Sequence, residues 1–137
     1  MNIIKLFLLL ILINSLLVYC SSSTNPLGNN RYSYTAYDST SHPVVTGWIK
    51  IEISDSNRVE GSWYLTKIRS SVKTTHATGD GMLEGTIDNN GISLDLNPGW
   101  RDNNTVLVGK FEDNKITGKW AWISFIGITE EGTFIAN

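Results

Sequence analysis

The sequence predicts an all-β fold, a single antiparallel up-and-down meander barrel of about eight strands; a two-sheet β-sandwich is the other arrangement the pattern allows. Three observations predict it. Beyond Arg31 the chain runs in short apolar–polar alternations with no helical periodicity of useful length. These runs are separated by clusters of Asp, Asn, Ser and Gly, residues that tolerate positive φ and hydrogen-bond their own backbone in tight turns. Glycines share a strand face with large rings, as in Gly61 before Trp63, Gly118 before Trp120 and Gly132 before Phe134.

Taken in order, the strands are expected at 32–37, 44–53, 58–68, 81–87, 92–96, 105–111, 116–125 and 130–136. One hairpin phrase recurs through them. Ile49, Ile51 and Ile53 lead through Ser54-Asp55-Ser56-Asn57 to Val59, Gly61, Trp63 and Leu65. Leu83, Gly85 and Ile87 lead through Asp88-Asn89-Asn90-Gly91 to Ile92, Leu94 and Leu96. Leu107, Gly109 and Phe111 lead through Glu112-Asp113-Asn114-Lys115 to Ile116, Gly118, Trp120 and Trp122. Side chains alternate faces along a strand, so each set lies on one face, the one that turns inward. A glycine weakens a strand unless something needs its space, either a neighbouring ring or the tight curvature of a closed sheet.

Ahead of the barrel, residues 1–20 form an export signal: Lys5, then a short apolar run through Leu6–Ile13 and Leu16–Val18, too brief to span a bilayer comfortably. Residues 21–30 are a polar tether and 31–137 the barrel domain. Leu17-Val18-Tyr19-Cys20 resembles a bacterial lipobox, whose cysteine becomes the acylated first residue of a mature lipoprotein. That resemblance implies lipidation at Cys20 and a bacterial cell-envelope location; the alternative is ordinary cleavage and secretion. Cys20 is the one cysteine, so the chain forms no internal disulfide.

The 137 residues leave room for one domain, and 41 % hydrophobic against 18 % charged residues describe an ordered chain. Losing Lys5 with the leader leaves 10 basic and 13 acidic residues, a balance that attracts no nucleic acid. Gly61-Ser62-Trp63, Gly118-Lys119-Trp120 and the meander order together resemble the small calycin-like barrels, the group of lipocalins and avidins. The stretch from Leu94 to Asn104, with Gly118-Lys119-Trp120 and Gly132-Thr133-Phe134, is similar to uncharacterised bacterial lipoproteins of this size. The first resemblance implies a barrel that holds a ligand; the second implies no activity.

Chemistry is sparse. His42 and His76 sit in expected loops beside Ser and Thr, far apart, and both read as solvated. Glu60, Glu84 and Asp95 fall on the outward face, so no catalytic residue, metal site or cofactor is assigned. The aromatic set is the stronger lead. Trp63, Trp120, Trp122 and Phe134 share the inner face, where they either fill the barrel or line a pocket for one small apolar or aromatic ligand. Trp100 and Arg101, in a loop of otherwise polar turn residues, can meet a ring or a partner protein. The expected function is a non-enzymatic, exported, lipid-anchored ligand-binding barrel. A scaffold using the Trp100 loop is the alternative, and a small hydrolase or isomerase the least supported.

Overall fold

In the computed structural model, residues 30–137 are described, apart from 55 and 90. The signal, Cys20 and positions 21–29 of the tether lie outside the described residues. Eight strands follow one another: β1 (Asn30–Asp38), β2 (Pro43–Ile53), β3 (Arg58–Lys67), β4 (Gly79–Asp88), β5 (Gly91–Asp95), β6 (Asn104–Glu112), β7 (Lys115–Ser124) and β8 (Gly127–Ala136). Each pairs antiparallel with the next, and β1 pairs with β8 (Tyr34 opposite Ala136, Asp38 opposite Gly132), closing an up-and-down barrel. Closure leaves no sheet edge for another chain to extend. It also excludes the sandwich.

The turn chemistry explains the three short hairpins. Asn57, Asn89, Asp113 and Asn114 all carry positive φ, a conformation that Asn and Asp tolerate better than other residues with a side chain. Asp113 and Asn114 are the two central residues between β6 and β7, both left-handed, as a type I′ turn requires. All three of these turns lie at one end of the barrel. The other end, the mouth, carries loops 39–42, 68–78 and 96–103 and the turn at 125–126.

That last turn differs from expectation. The strand pattern ran through Phe125 and resumed at 130, but Ser124 pairs with Gly127 and β8 starts at once. Phe125 and Ile126 are the turn itself, 93 % and 85 % exposed, so Phe125 lies outside the strand and β8 begins three residues earlier than expected.

The alternating face does turn inward. Ile49, Ile51, Val59, Trp63, Leu65, Leu83, Leu94, Leu107, Ile116, Trp120 and Phe134 are buried, together with Tyr32 and Tyr34 from β1. The glycines divide between the two expected reasons. Gly81 and Gly132 make room for rings: a Cβ there would stand 2.8 Å from Trp63 Cζ2 and 2.6 Å from Trp120 Nε1. Gly109 and Gly118 instead face each other across β6 and β7, where a Cβ on either would strike the neighbouring strand's backbone. The two backbones lie too close at this pair for either residue to carry a side chain.

Candidate functional site

Loop 68–78 is mostly exposed, but one part of it turns inward. It folds into the mouth and places His76, 3 % exposed, against the inner faces of β1 and β7. This corrects the reading of His76 as a solvated loop histidine. His42, by contrast, is exposed and hydrogen-bonds Thr40 and, through its backbone N–H, Asp38.

The bonds around His76 fix its tautomer. Its Nδ1 lies 3.0 Å from the carbonyl of Ala77, which can only accept, so Nδ1 carries the proton. Nε2 is then an acceptor, and the Tyr34 hydroxyl donates to it at 2.8 Å. The imidazole meets Trp120 edge to face, with centroids 4.8 Å apart and planes at 65°. Tyr34 is stacked on Phe134 behind it, at 5.6 Å and 21°. Trp120 is itself held, its indole N–H donating to the Tyr37 carbonyl at 2.8 Å. Burial lowers the His76 pKa from 6.5 to about 4, against smaller opposing effects of the Ala77 carbonyl and of Glu130. The ring is neutral at pH 7. Burial likewise pushes the Tyr34 hydroxyl well above its ordinary value, so it remains a donor.

The loop is fastened from outside. Glu130, at the mouth end of β8, accepts from the Thr75 backbone N–H at 2.7 Å, the Thr75 hydroxyl at 2.6 Å and the Thr74 hydroxyl at 2.9 Å. Partial burial raises the Glu130 pKa, but these bonds from Thr75 and Thr74 outweigh it and leave the pKa lowered. A second fastening runs from Ala77 N–H to the buried hydroxyl of Thr105 on β6, at 2.9 Å.

Above His76 opens a mouth pocket of about 470 Å³. Trp63, Leu96 and Trp122 form its apolar part, and Lys67, Asp80, Asn97 and Asn103 supply polar groups. Trp63 is a rigid wall, because its indole N–H bridges the carbonyls of Met82 (3.1 Å) and Leu96 (2.9 Å). The inner-face aromatic set is therefore split by depth. Trp63 and Trp122 reach the pocket; Trp120 and Phe134 are sealed beneath, around Tyr34 and His76. Trp100 is 65 % exposed and neither it nor Arg101 lines the pocket. Its loop is built by Asp95, whose Oδ1 accepts from Asn97 N–H and Asn104 Nδ2, both at 2.8 Å.

The carboxylates of Glu60, Glu84 and Asp95, on β3, β4 and β5, serve structural ends. Glu60 and Glu84 face each other across β3 and β4 on the outer surface, and Arg58 bridges them at 2.9 and 3.2 Å. Among the described residues no cluster of His, Cys, Asp and Glu is gathered in the manner a metal ion requires. The residues that sequence reasoning missed are Tyr34, His76, Thr105 and Glu130. Only the length of the segment between β3 and β4 pointed toward them.

No protein-family model matches the chain, and none of the curated proteins matches it in sequence. Among solved structures, that of a rhizavidin–biotin complex superposes with a TM-score of 0.50 at 14 % identity, covering 80 % of this chain and 92 % of the other. A structure of rhizavidin, also at 14 % identity, gives 0.48 and covers 81 % and 84 %. The likeness is one of fold, a closed eight-stranded antiparallel barrel.

Proposed function

We propose that the protein is a non-enzymatic binding barrel that takes a small ring-bearing ligand at its mouth. The observation that carries this is the 470 Å³ pocket between Trp63 and Trp122, bordered by amide, hydroxyl and charged side chains. The pocket is mainly polar, with Trp63, Leu96 and Trp122 as its apolar faces, and polar groups converging beside such faces are how small-ligand sites fix a ring's orientation. The rhizavidin structure with biotin supports the same reading by likeness of fold. The chain is exported, and Cys20 is its lipid attachment point in a bacterial envelope. Because β1 begins at the end away from the mouth, such a tether would leave the mouth facing away from the membrane.

Calorimetric titration with a panel of small cyclic compounds tests this. A ligand of the pocket is expected to bind the parent protein and to lose at least tenfold in affinity in Trp122→Ala. Unchanged affinity in that variant overturns the assignment. Intact-mass measurement of the mature chain tests acylation: the mass of acyl chains on an N-terminal Cys20 supports it, and a plain N-terminus beyond Cys20 refutes it.

A partner-binding scaffold is the second reading, favoured by one observation. Trp100, Phe125, Ile126 and Ile128 are all exposed and belong to connections or a strand start at the mouth end. Exposed aromatic and aliphatic residues gathered on one end suit a protein interface. Loss of partner capture by Trp100→Ala, with pocket binding intact, would separate it from the first.

A further inference from the structure

His76 is foreign to the pattern that fills the rest of the barrel. Apart from Thr105 on β6, the inward residues of the strands are apolar or aromatic, placed by alternation, whereas His76 arrives from a connection. The loop that brings it has little apolar ballast of its own, since only Val72 and Ala77 pack partly against the core. What holds it are polar bonds from Thr74 and Thr75 to Glu130 and from Ala77 to Thr105. Three of these four bonds end on the one partly exposed carboxylate of Glu130, where water can take their place, so most of the fastening depends on a single side chain. The loop is thus a light cover whose deepest part is a single ring.

The barrel wall treats that ring as it would a bound molecule. Tyr34 directs a hydroxyl donor at Nε2, Trp120 supplies a T-shaped aromatic contact, and Tyr34 is itself held by stacking on Phe134. His76 also lines the mouth pocket, so it stands between the open space and Tyr34. Withdrawing the imidazole would join its volume to the pocket and bring the Tyr34 hydroxyl within reach from outside.

We propose that His76 is an intramolecular occupant of a ring-binding seat, and that the seat accepts in its place a small, flat, uncharged ring bearing a hydrogen-bond acceptor, with segment 68–78 as the displaceable cover. This rests on the reading of the barrel as a binder and goes beyond it by naming the ring chemistry and the gate. The ligand class follows from the wall. The donor from Tyr34 asks for an acceptor, namely an azole nitrogen or a cyclic amide or urea carbonyl. The Trp120 contact asks for a flat ring. Burial asks for a neutral one, the same desolvation that lowers the pKa of His76.

The test replaces the tethered ring with a free one. His76→Gly is titrated with imidazole at pH 8.5, with benzene as an apolar probe of equal flatness, following the melting temperature and calorimetric heat. Imidazole is expected to bind at least tenfold more tightly than benzene, and to lose that preference in His76→Gly/Tyr34→Phe. A folded His76→Gly that ignores imidazole, or takes benzene equally well, overturns the proposal. If His76→Gly does not fold, Glu130→Ala decides through hydrogen exchange. Amides 74–77 are expected to exchange at least tenfold faster while strand amides stay unchanged; an equal acceleration in the strands shows that the segment is core and not cover. Neither arm uses a mouth ligand, so the proposal can fail while the Trp122 assignment stands, and the reverse.

Discussion

The Tyr34 hydroxyl donates to Nε2 of His76 at 2.8 Å, joining the middle of the first strand to a loop residue 42 positions later. Both groups are buried, so neither has bulk water as a substitute partner. Tyr34→Phe keeps the ring and its stacking on Phe134 but leaves Nε2 a buried acceptor with no donor from Tyr34. The cost of such an orphan is about 1–3 kcal/mol. Urea unfolding of Tyr34→Phe is expected to show that loss, with hydrogen exchange rising first at 74–77. A variant as stable as the parent would mean that the bond contributes nothing.

The same burial makes the barrel acid-sensitive in a definite direction. In the unfolded chain His76 protonates near its ordinary 6.5, and in the barrel only at about 4. Between these values the unfolded state holds more protons, so stability is full above pH 7, falls as the pH drops toward 4, and levels off below. A gap of this size corresponds to about 3 kcal/mol. Glu130 acts in the same sense further down, because its contribution is present above 4.5 and is lost as the pH falls through its lowered pKa. Unfolding free energies measured from pH 8 to pH 4 should fall in the parent, and His76→Gln should flatten the upper part of that decline. An equally steep decline in His76→Gln would place the effect elsewhere.

How far the sequence carried these conclusions depends on the range of the interaction. Strands and inward faces were legible because a period of two is local: Leu107, Gly109 and Phe111 announce their shared face without knowledge of any partner. The Asn and Asp turns were legible for the same reason. His76 was not, because nothing in Thr74-Thr75-His76-Ala77-Thr78 records that Glu130, more than fifty positions later, will fasten the segment inward. Phe125 was misread because apolar residues in a two-residue turn contradict turn chemistry, so alternation carried the strand one residue too far and put the next strand's start at 130. The glycines were legible as a need for space. Only register showed that Gly81 serves Trp63 across β3 and β4, and that Gly132 serves Trp120 across β7 and β8.

That register makes Gly132 intolerant of even a methyl group. A Cβ there would meet the Tyr37 carbonyl oxygen and stand 2.6 Å from Trp120 Nε1, the atom that donates to that same carbonyl. Neither neighbour yields cheaply, since one is backbone and the other a fully buried ring. Overpacking of this kind costs about 1–3 kcal/mol, and disturbing the Trp120 bond adds to it. Gly132→Ala should lower the urea midpoint with an unchanged denaturant slope. A neutral result would require β8 to shift relative to β1, which the pairing of Asp38 with Gly132 would reveal by altered exchange at their amides.

The tryptophans divide by what each touches, and two of them give opposite outcomes. Trp120 is fully buried, donates to Tyr37 and meets His76, so Trp120→Ala removes a large core ring, a hydrogen bond and the wall of the seat together. Truncation of a buried aromatic costs about 3–5 kcal/mol, enough to unfold a domain of this size at moderate temperature. Trp100 is 65 % exposed and hydrogen-bonds through its backbone, its N–H donating to the Asn97 carbonyl and its own carbonyl accepting from Asn104 Nδ2. Trp100→Ala keeps both of those bonds and should change stability by no more than about 0.5 kcal/mol. Thermal unfolding of the two variants therefore separates the ring that holds the fold from the ring left free for an encounter. A large loss in Trp100→Ala would mean that this ring supports its loop, and the case for it as a partner contact would fall.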